Sequence, residues 1–72
     1  MEEEFYTYII CYRTHSGAEH LGVVSSTGLT ESENLLEQEV KKQSEEFVFK
    51  SIESTKYKSP REGVLFNTLT LH

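Results

Sequence analysis

The chain has 72 residues, of which 36% are hydrophobic, so its length excludes a second core and its composition excludes a disordered tail. A single cysteine excludes an internal disulfide framework, and the lack of a long apolar run predicts a cytoplasmic protein without a membrane segment. The net charge of −5 is concentrated before position 47, which argues against nucleic-acid binding and favours a partner protein with a basic surface.

The first third of the chain predicts a β-hairpin. Residues 5–14 are dense in β-branched and aromatic side chains, which is typical of a strand. Both faces of this strand are largely apolar, so we expect it to be central in its sheet. The polar, glycine-containing connection over residues 15–20 suits a hairpin loop, and residues 21–27 return as the second strand. Gly22 indicates a weak point or a bulge there, and the serines that follow favour an edge position.

A helix is predicted over residues 31–43. Thr30 and Glu33 have the spacing of a capping box, and glutamates lie at the start of the segment. Lys41 and Lys42 lie at its end, where cations favour the helix dipole. The apolar stripe of this helix is narrow and consists of Leu35, Leu36 and Val40.

The remaining segments complete an α+β domain. Residues 47–53 predict a third strand with a bulge near residues 50–51, residues 54–63 a polar loop, and residues 64–71 a fourth strand. Together these elements predict a two-layer fold with a mostly antiparallel four-stranded sheet in the order 2-1-3-4 and one helix on one face. One helix cannot cover both faces of such a sheet, so the uncovered face is the candidate functional surface.

Residue types that could carry chemistry are few. Cys11, His15 and His20 form the one cluster of metal-ligand types, but their spacing matches no standard zinc arrangement. A Cys–His nucleophile would need an orienting group and an oxyanion donor, and the sequence places neither beside them. We therefore expect no metal, no cofactor and no enzymatic activity.

Two groups of side chains are candidates for contact with a protein. Tyr6, Tyr8 and Tyr12 share one face of the first strand, and this face either packs beneath the helix or contacts a partner. Glutamates on the helix would complement a basic partner surface. These glutamates are Glu31, Glu33, Glu37 and Glu39. The prediction is a small acidic protein-binding module, an inhibitor or adaptor whose general look is similar to that of phage and mobile-element products.

Two alternatives to this function stay open, and both involve the basic stretch of the chain. This stretch contains Lys50, Lys56, Tyr57, Lys58 and Arg61. It is either an ordinary solvated loop or an anion contact, and with the sheet tyrosines it could bind single-stranded nucleic acid. It could instead meet the Glu-rich helix of a second copy. A homodimer would also compensate for the limited core of so small a domain.

Overall fold

The structure is a computed structural model that describes residues 4–70, and it has the predicted two-layer α+β architecture. Its elements are β1 (Phe5–Thr14), β2 (Glu19–Ser26), α1 (Leu29–Lys42), β3 (Phe47–Ser59) and β4 (Gly63–Asn67). The strands form one antiparallel sheet, and α1 packs on one of its faces. Leu71, the last residue of the predicted fourth strand, lies outside the described residues.

The strand order is β3-β1-β2-β4, which confirms the central position of β1 but places β4 differently from the prediction. β4 pairs with β2, so β2 is an interior strand and not an edge. Apolar pairs on both sides of the sheet favour this neighbour, because Val24 lies opposite Val64 and Val23 lies opposite Phe66. The serines at the end of β2, which predicted an edge, are buried.

β3 is longer than predicted, since the segment expected to be a loop continues the strand to Ser59. The ladder with β1 is interrupted opposite Thr7. There the Thr55 hydroxyl donates to the Thr7 carbonyl oxygen at 2.8 Å and accepts from the Tyr57 backbone N–H at 3.2 Å. The threonine side chain thus replaces ladder bonds, and the strand continues past a bulge that carries Lys56 and Tyr57.

A second irregularity in β3 explains the imperfect alternation of its apolar residues. The register shifts between Arg13 and Thr14, which lie opposite Phe49 and Phe47 respectively. The predicted bulge therefore exists but lies at Val48, slightly earlier in the strand than expected. Its effect is to place Phe47 against the core and Phe49 on the opposite face.

The helix begins at Leu29, two residues earlier than predicted, and the predicted capping box is wrong. Gly28 is the N-cap residue and provides no side-chain hydrogen bond, so Thr30 lies inside the first turn. The Glu33 carboxylate contacts the Lys50 ammonium of β3 instead of reaching back to the helix start. Glu33 therefore forms an ion pair with a distant strand and not the local capping contact that the sequence pattern predicted.

Hydrogen bonds from β2 anchor the start of α1. The Ser26 hydroxyl donates to the Gly28 carbonyl oxygen at 2.8 Å, and the Ser26 and Ser32 hydroxyl oxygens lie 2.5 Å apart. Both serine side chains are buried, so they satisfy each other where water has no access. Helix and sheet are thereby joined at this end by polar contacts.

The C-terminal end of α1 closes in a Schellman motif. The Glu45 N–H donates to the Val40 carbonyl oxygen at 3.2 Å, and the Ser44 N–H donates to the Lys41 carbonyl oxygen at 3.0 Å. Ser44 has a φ of 61°, the left-handed region that glycine usually occupies at this position. The helix therefore ends with a strained non-glycine residue.

The hydrophobic core lies between α1 and one sheet face. Its fully or nearly fully buried members are Ile10, Tyr12, Val24, Leu36 and Val40. Gly22 of β2 faces Leu36 directly, and a Cβ atom at position 22 would lie 2.8 Å from a Leu36 methyl carbon. The glycine predicted as a weak point or bulge is therefore the place where the helix comes closest to the sheet.

Candidate functional site

The sheet face opposite α1 is the candidate functional site. Strand geometry places alternate residues of β1 on this face, and the observed register sets their neighbours beside them. We call it the open face and define it by Ile9, Cys11, Arg13, Leu21, Val23, Phe49 and Phe66. Among the described residues, no helix packs against it.

The centre of the open face is apolar. Ile9 pairs with Val23, and Cys11 pairs with Leu21, so four apolar side chains form a contiguous block across the two middle strands. A sheet face that meets only water is normally lined by polar side chains, and the centre of this face is not. The centre of the open face is therefore an apolar surface that α1 does not cover.

Two phenylalanines flank this apolar block from the outer strands. Phe49 of β3 has 59% of its surface exposed, and Phe66 of β4 has 40% exposed. A shallow depression of about 440 Å³ lies beside Phe49 and is also lined by Cys11 and Leu21. Large exposed aromatic side chains beside a depression are typical of a surface that contacts another protein.

Charged side chains form the rim of the open face. Arg13 lies opposite Glu19 in the β1–β2 ladder, and its guanidinium donates to the Glu19 carboxylate at 3.2 Å. Glu53 of β3 lies opposite Ile9, on the other side of the apolar block. An exposed pair such as Arg13–Glu19 contributes about 0–1 kcal/mol, so either partner can exchange it for another contact at little cost.

The tyrosines predicted to contact a partner lie on the covered side of the sheet. Tyr8 is 8% exposed and Tyr12 is 2% exposed, so for these two residues the structure has the first of the two alternatives, packing beneath the helix. Only Tyr6 is partly exposed, and its hydroxyl donates to the Glu4 carboxylate at 3.1 Å. The helix covers this face because Gly22 lies on it and leaves room for the helix to approach.

Tyr12 belongs to a buried polar contact rather than to the surface. Its hydroxyl donates to the Asn67 side-chain oxygen at 2.5 Å, and that oxygen also accepts from the Leu69 N–H at 3.1 Å. Burial is the main cause that raises the pKa of the Tyr12 hydroxyl, the hydrogen bond between Tyr12 and Asn67 lowers this pKa, and the Glu39 carboxylate raises it. The tyrosine therefore stays neutral and joins β1 to the end of β4.

The four helix glutamates do not form one acidic surface. Glu33 contacts Lys50, and Glu37 pairs with Lys41 one turn later at 3.2 Å. Glu39 lies on the opposite flank of the helix, beside the depression next to β4. Glu31 is exposed in the first turn. Their predicted contact with a basic partner is untested, but two of the four carboxylates already have cationic neighbours.

The basic stretch is also divided by the fold. Lys50 contacts Glu33 at one end of β3, whereas Lys58 pairs with Glu4 at 3.0 Å at the other end. The Lys58 ammonium lowers the pKa of the Glu4 carboxyl, and that carboxylate in turn raises the pKa of Lys58. Tyr57 is 76% exposed on its bulge. The predicted anion contact is untested, but two of its four cationic side chains, Lys50 and Lys58, already have carboxylate neighbours.

The cysteine and the two histidines considered as metal ligands lie in different surroundings. His20 shares a hydrogen bond of 3.2 Å with the Thr68 hydroxyl, and its ring lies 5.5 Å from that of Tyr12. His15 lies 3.4 Å from the Glu46 carboxylate, while Cys11 is exposed on the open face. Across residues 4–70, no group of three His, Cys or acidic side chains is arranged to hold a metal ion.

Sequence reasoning missed Phe49 and Phe66 as site residues. Both owe their position to register shifts, at Val48 in β3 and between Val23 and Val24 in β2. The alternation of Ile9 and Cys11 in β1 contained a usable signal, because it marked a second apolar face that the tyrosines obscured.

The chain matches no protein-family model, no curated protein sequence and no solved structure. In the described part of the chain, no helix has the length and apolar character needed to cross a membrane.

Proposed function

We propose that the protein is a non-catalytic protein-binding module and that the open face is its contact surface. The observation that supports this most directly is the apolar block between Phe49 and Phe66, which the helix leaves uncovered. Contiguous apolar patches of this kind mark interaction sites on small proteins.

The energetics of burial favour such a contact. Covering one large apolar side chain contributes about 1.5–3 kcal/mol. The open face offers several such side chains on two adjacent strands, fixed by the ladder of the sheet. Because the strands are rigid, little conformational entropy is lost on binding, and the surface is already arranged for its partner.

A contact with single-stranded nucleic acid is the second candidate. Tyr57, the most exposed aromatic residue among residues 4–70, supports it, because an exposed ring beside Lys56 and Arg61 can stack on a base. It is the weaker candidate, since Lys50 and Lys58 are engaged by carboxylates and the positive charge is split between the two ends of β3.

Affinity capture with matched variants tests the two candidates. The tagged protein is incubated with an extract of its source cells, as wild type and as Phe49→Ser and Tyr57→Ser. Both substitutions replace an exposed aromatic residue in β3, but only Phe49 belongs to the open face. We expect that a protein captured by wild type is also captured by Tyr57→Ser but is not captured by Phe49→Ser. Loss with Tyr57→Ser alone, together with retained oligonucleotide, would contradict the proposal and favour the nucleic-acid contact.

A further inference from the structure

We propose that the partner seated on the open face is a second copy of this chain, packed sheet to sheet about a two-fold axis near Cys11. This inference rests on the proposed function, because it names the occupant of the same surface. The resulting dimer would have four layers, with the two sheets inside and one helix on each outer side. Three observations support it, and they concern charge, area and the sheet edges.

The charges on the open face are arranged for self-complementarity. A two-fold interface presents the same surface twice, so groups on opposite sides of its centre must attract each other. Arg13 lies two residues after Cys11 in β1, and Glu53 lies opposite Ile9, two residues before Cys11. The two opposite charges therefore flank the centre. A two-fold axis that lies between the sheets and crosses the strands at Cys11 brings Arg13 of one copy over Ile9 of the other, next to Glu53, and this contact forms twice.

The area of the open face suits a small dimer. The four strands contain 10, 8, 13 and 5 residues, and with strands about 4.8 Å apart and residues about 3.3 Å apart the sheet presents about 500–600 Å² per copy. Two copies would bury about 1,000 Å², which reaches the lower limit of specific interfaces. Two twisted sheets pack face to face with their strands about 30° apart, so such an arrangement is sterically ordinary.

The sheet edges are protected, so edge-to-edge association of two copies is disfavoured. The outer strands β3 and β4 are each interrupted by bulges, which place Val48, Tyr57 and Leu65 outside the regular pairing. Bulges on edge strands prevent the continuous ladder that a neighbouring copy would need. Face-to-face packing on the open face does not need such a ladder.

Variants that reverse the charges of Arg13 and Glu53 test the dimer, with the dissociation constant measured by sedimentation equilibrium. We expect wild type to dimerise at micromolar concentrations, and Arg13→Glu and Glu53→Arg each to raise the dissociation constant about tenfold or more. The double variant Arg13→Glu/Glu53→Arg should recover most of the affinity, because the charges again oppose each other across the interface. Far-UV circular dichroism checks that all three variants fold.

Cross-linking gives an independent measurement of the axis. A bismaleimide reagent with a short spacer should link two copies through Cys11, since facing sheets about 10 Å apart place the two thiols within its reach but too far apart for a direct disulfide. A matched control carries Cys11→Ser and Tyr57→Cys, which moves the thiol to a bulge outside the interface and should abolish linkage.

The outcomes separate this inference from the proposed function. A chain that stays monomeric at about millimolar concentration overturns the dimer, as does a dimer whose affinity is unchanged in both charge variants. If the protein is monomeric but Phe49→Ser still abolishes capture of another protein, only the identity of the partner is overturned. If it dimerises through the open face, both inferences are supported together.

Discussion

The two faces of the sheet differ far more in the structure than in the sequence. Both faces of β1 are apolar in sequence, but Ile10 and Tyr12 are buried beneath α1 while Cys11 on the other face is exposed. The difference comes from the helix, which packs where Gly22 allows the closest approach. Apolar alternation therefore identifies two candidate core faces, and Gly22 lies on the one that the helix covers.

The largest expected effect separates the faces by their contribution to stability. Leu36→Ala removes a fully buried side chain from the covered side and should lower the free energy of unfolding by about 2–5 kcal/mol. Leu21→Ala on the open face should cost about 1 kcal/mol or less. Urea denaturation at low protein concentration, where self-association does not contribute, measures both. Equal losses would show that the two faces are equally covered.

The role of Gly22 is tested by adding one methyl group. Gly22→Ala places a Cβ atom within 2.8 Å of Leu36, so the side chain or the helix must move. We expect a loss of about 1–3 kcal/mol, the usual cost of overpacking. Gly17→Ala is not a matched control, because Gly17 has a positive φ. Gly28→Ala is not a matched control either, because Gly28 is the N-cap residue of α1, where glycine is preferred to alanine. A Gly22→Ala protein as stable as wild type would refute the close approach.

The buried hydroxyl of the covered face should give the protein a sensitivity to alkaline pH. Tyr12→Phe should cost about 0.5–1.5 kcal/mol at neutral pH, because it removes the hydrogen bond to Asn67. The pKa of Tyr12 is raised in the folded state, so wild-type stability is complete below the ordinary pKa of 10.0 and falls as pH rises above it. Urea denaturation between about pH 8 and about pH 11 should therefore show a shallower decline for Tyr12→Phe than for wild type. If the stability of the two proteins declined in parallel with pH, a group other than Tyr12 would be responsible for the decline.

The smallest expected effect is a gain in stability at the helix end. Ser44→Gly relieves the left-handed conformation of a non-glycine residue and should stabilise the protein by about 0.5–1 kcal/mol. Because it acts through the covered layer alone, it should leave self-association through the open face unchanged. Thermal denaturation and sedimentation equilibrium measure the two properties, and a change in association would link the helix end to the open face.

The sequence predicted the fold class, the hairpin, the helix and the central position of β1, because these depend on local patterns of apolar residues. It did not predict the helix cap, since Glu33 contacts Lys50 from a distant strand and the serines of β2 anchor the helix start. It also did not predict that β4 pairs with β2, because strand order depends on contacts between distant segments.

The sequence predicted that one face of the sheet would be left uncovered, but it did not predict which residues would lie on that face. The tyrosines of β1 were the conspicuous feature, and two of them proved to be core residues. Phe49 and Phe66 reach the open face only through bulges, and a bulge changes which side of the sheet every later residue occupies. A pattern with a period of two cannot locate such a shift without the neighbouring strand.

The strand order has a consequence for how the chain folds. β1 pairs with β2 through a short turn, but its other neighbour, β3, follows only after the whole of α1. Contacts between such distant segments are slow to form, whereas the hairpin can close within about 1–10 μs. The β1–β2 hairpin and the helix should therefore assemble first, with arrival of β3 as the slow step. Until then both faces of the hairpin remain accessible to other chains, which makes this stage the most prone to aggregation.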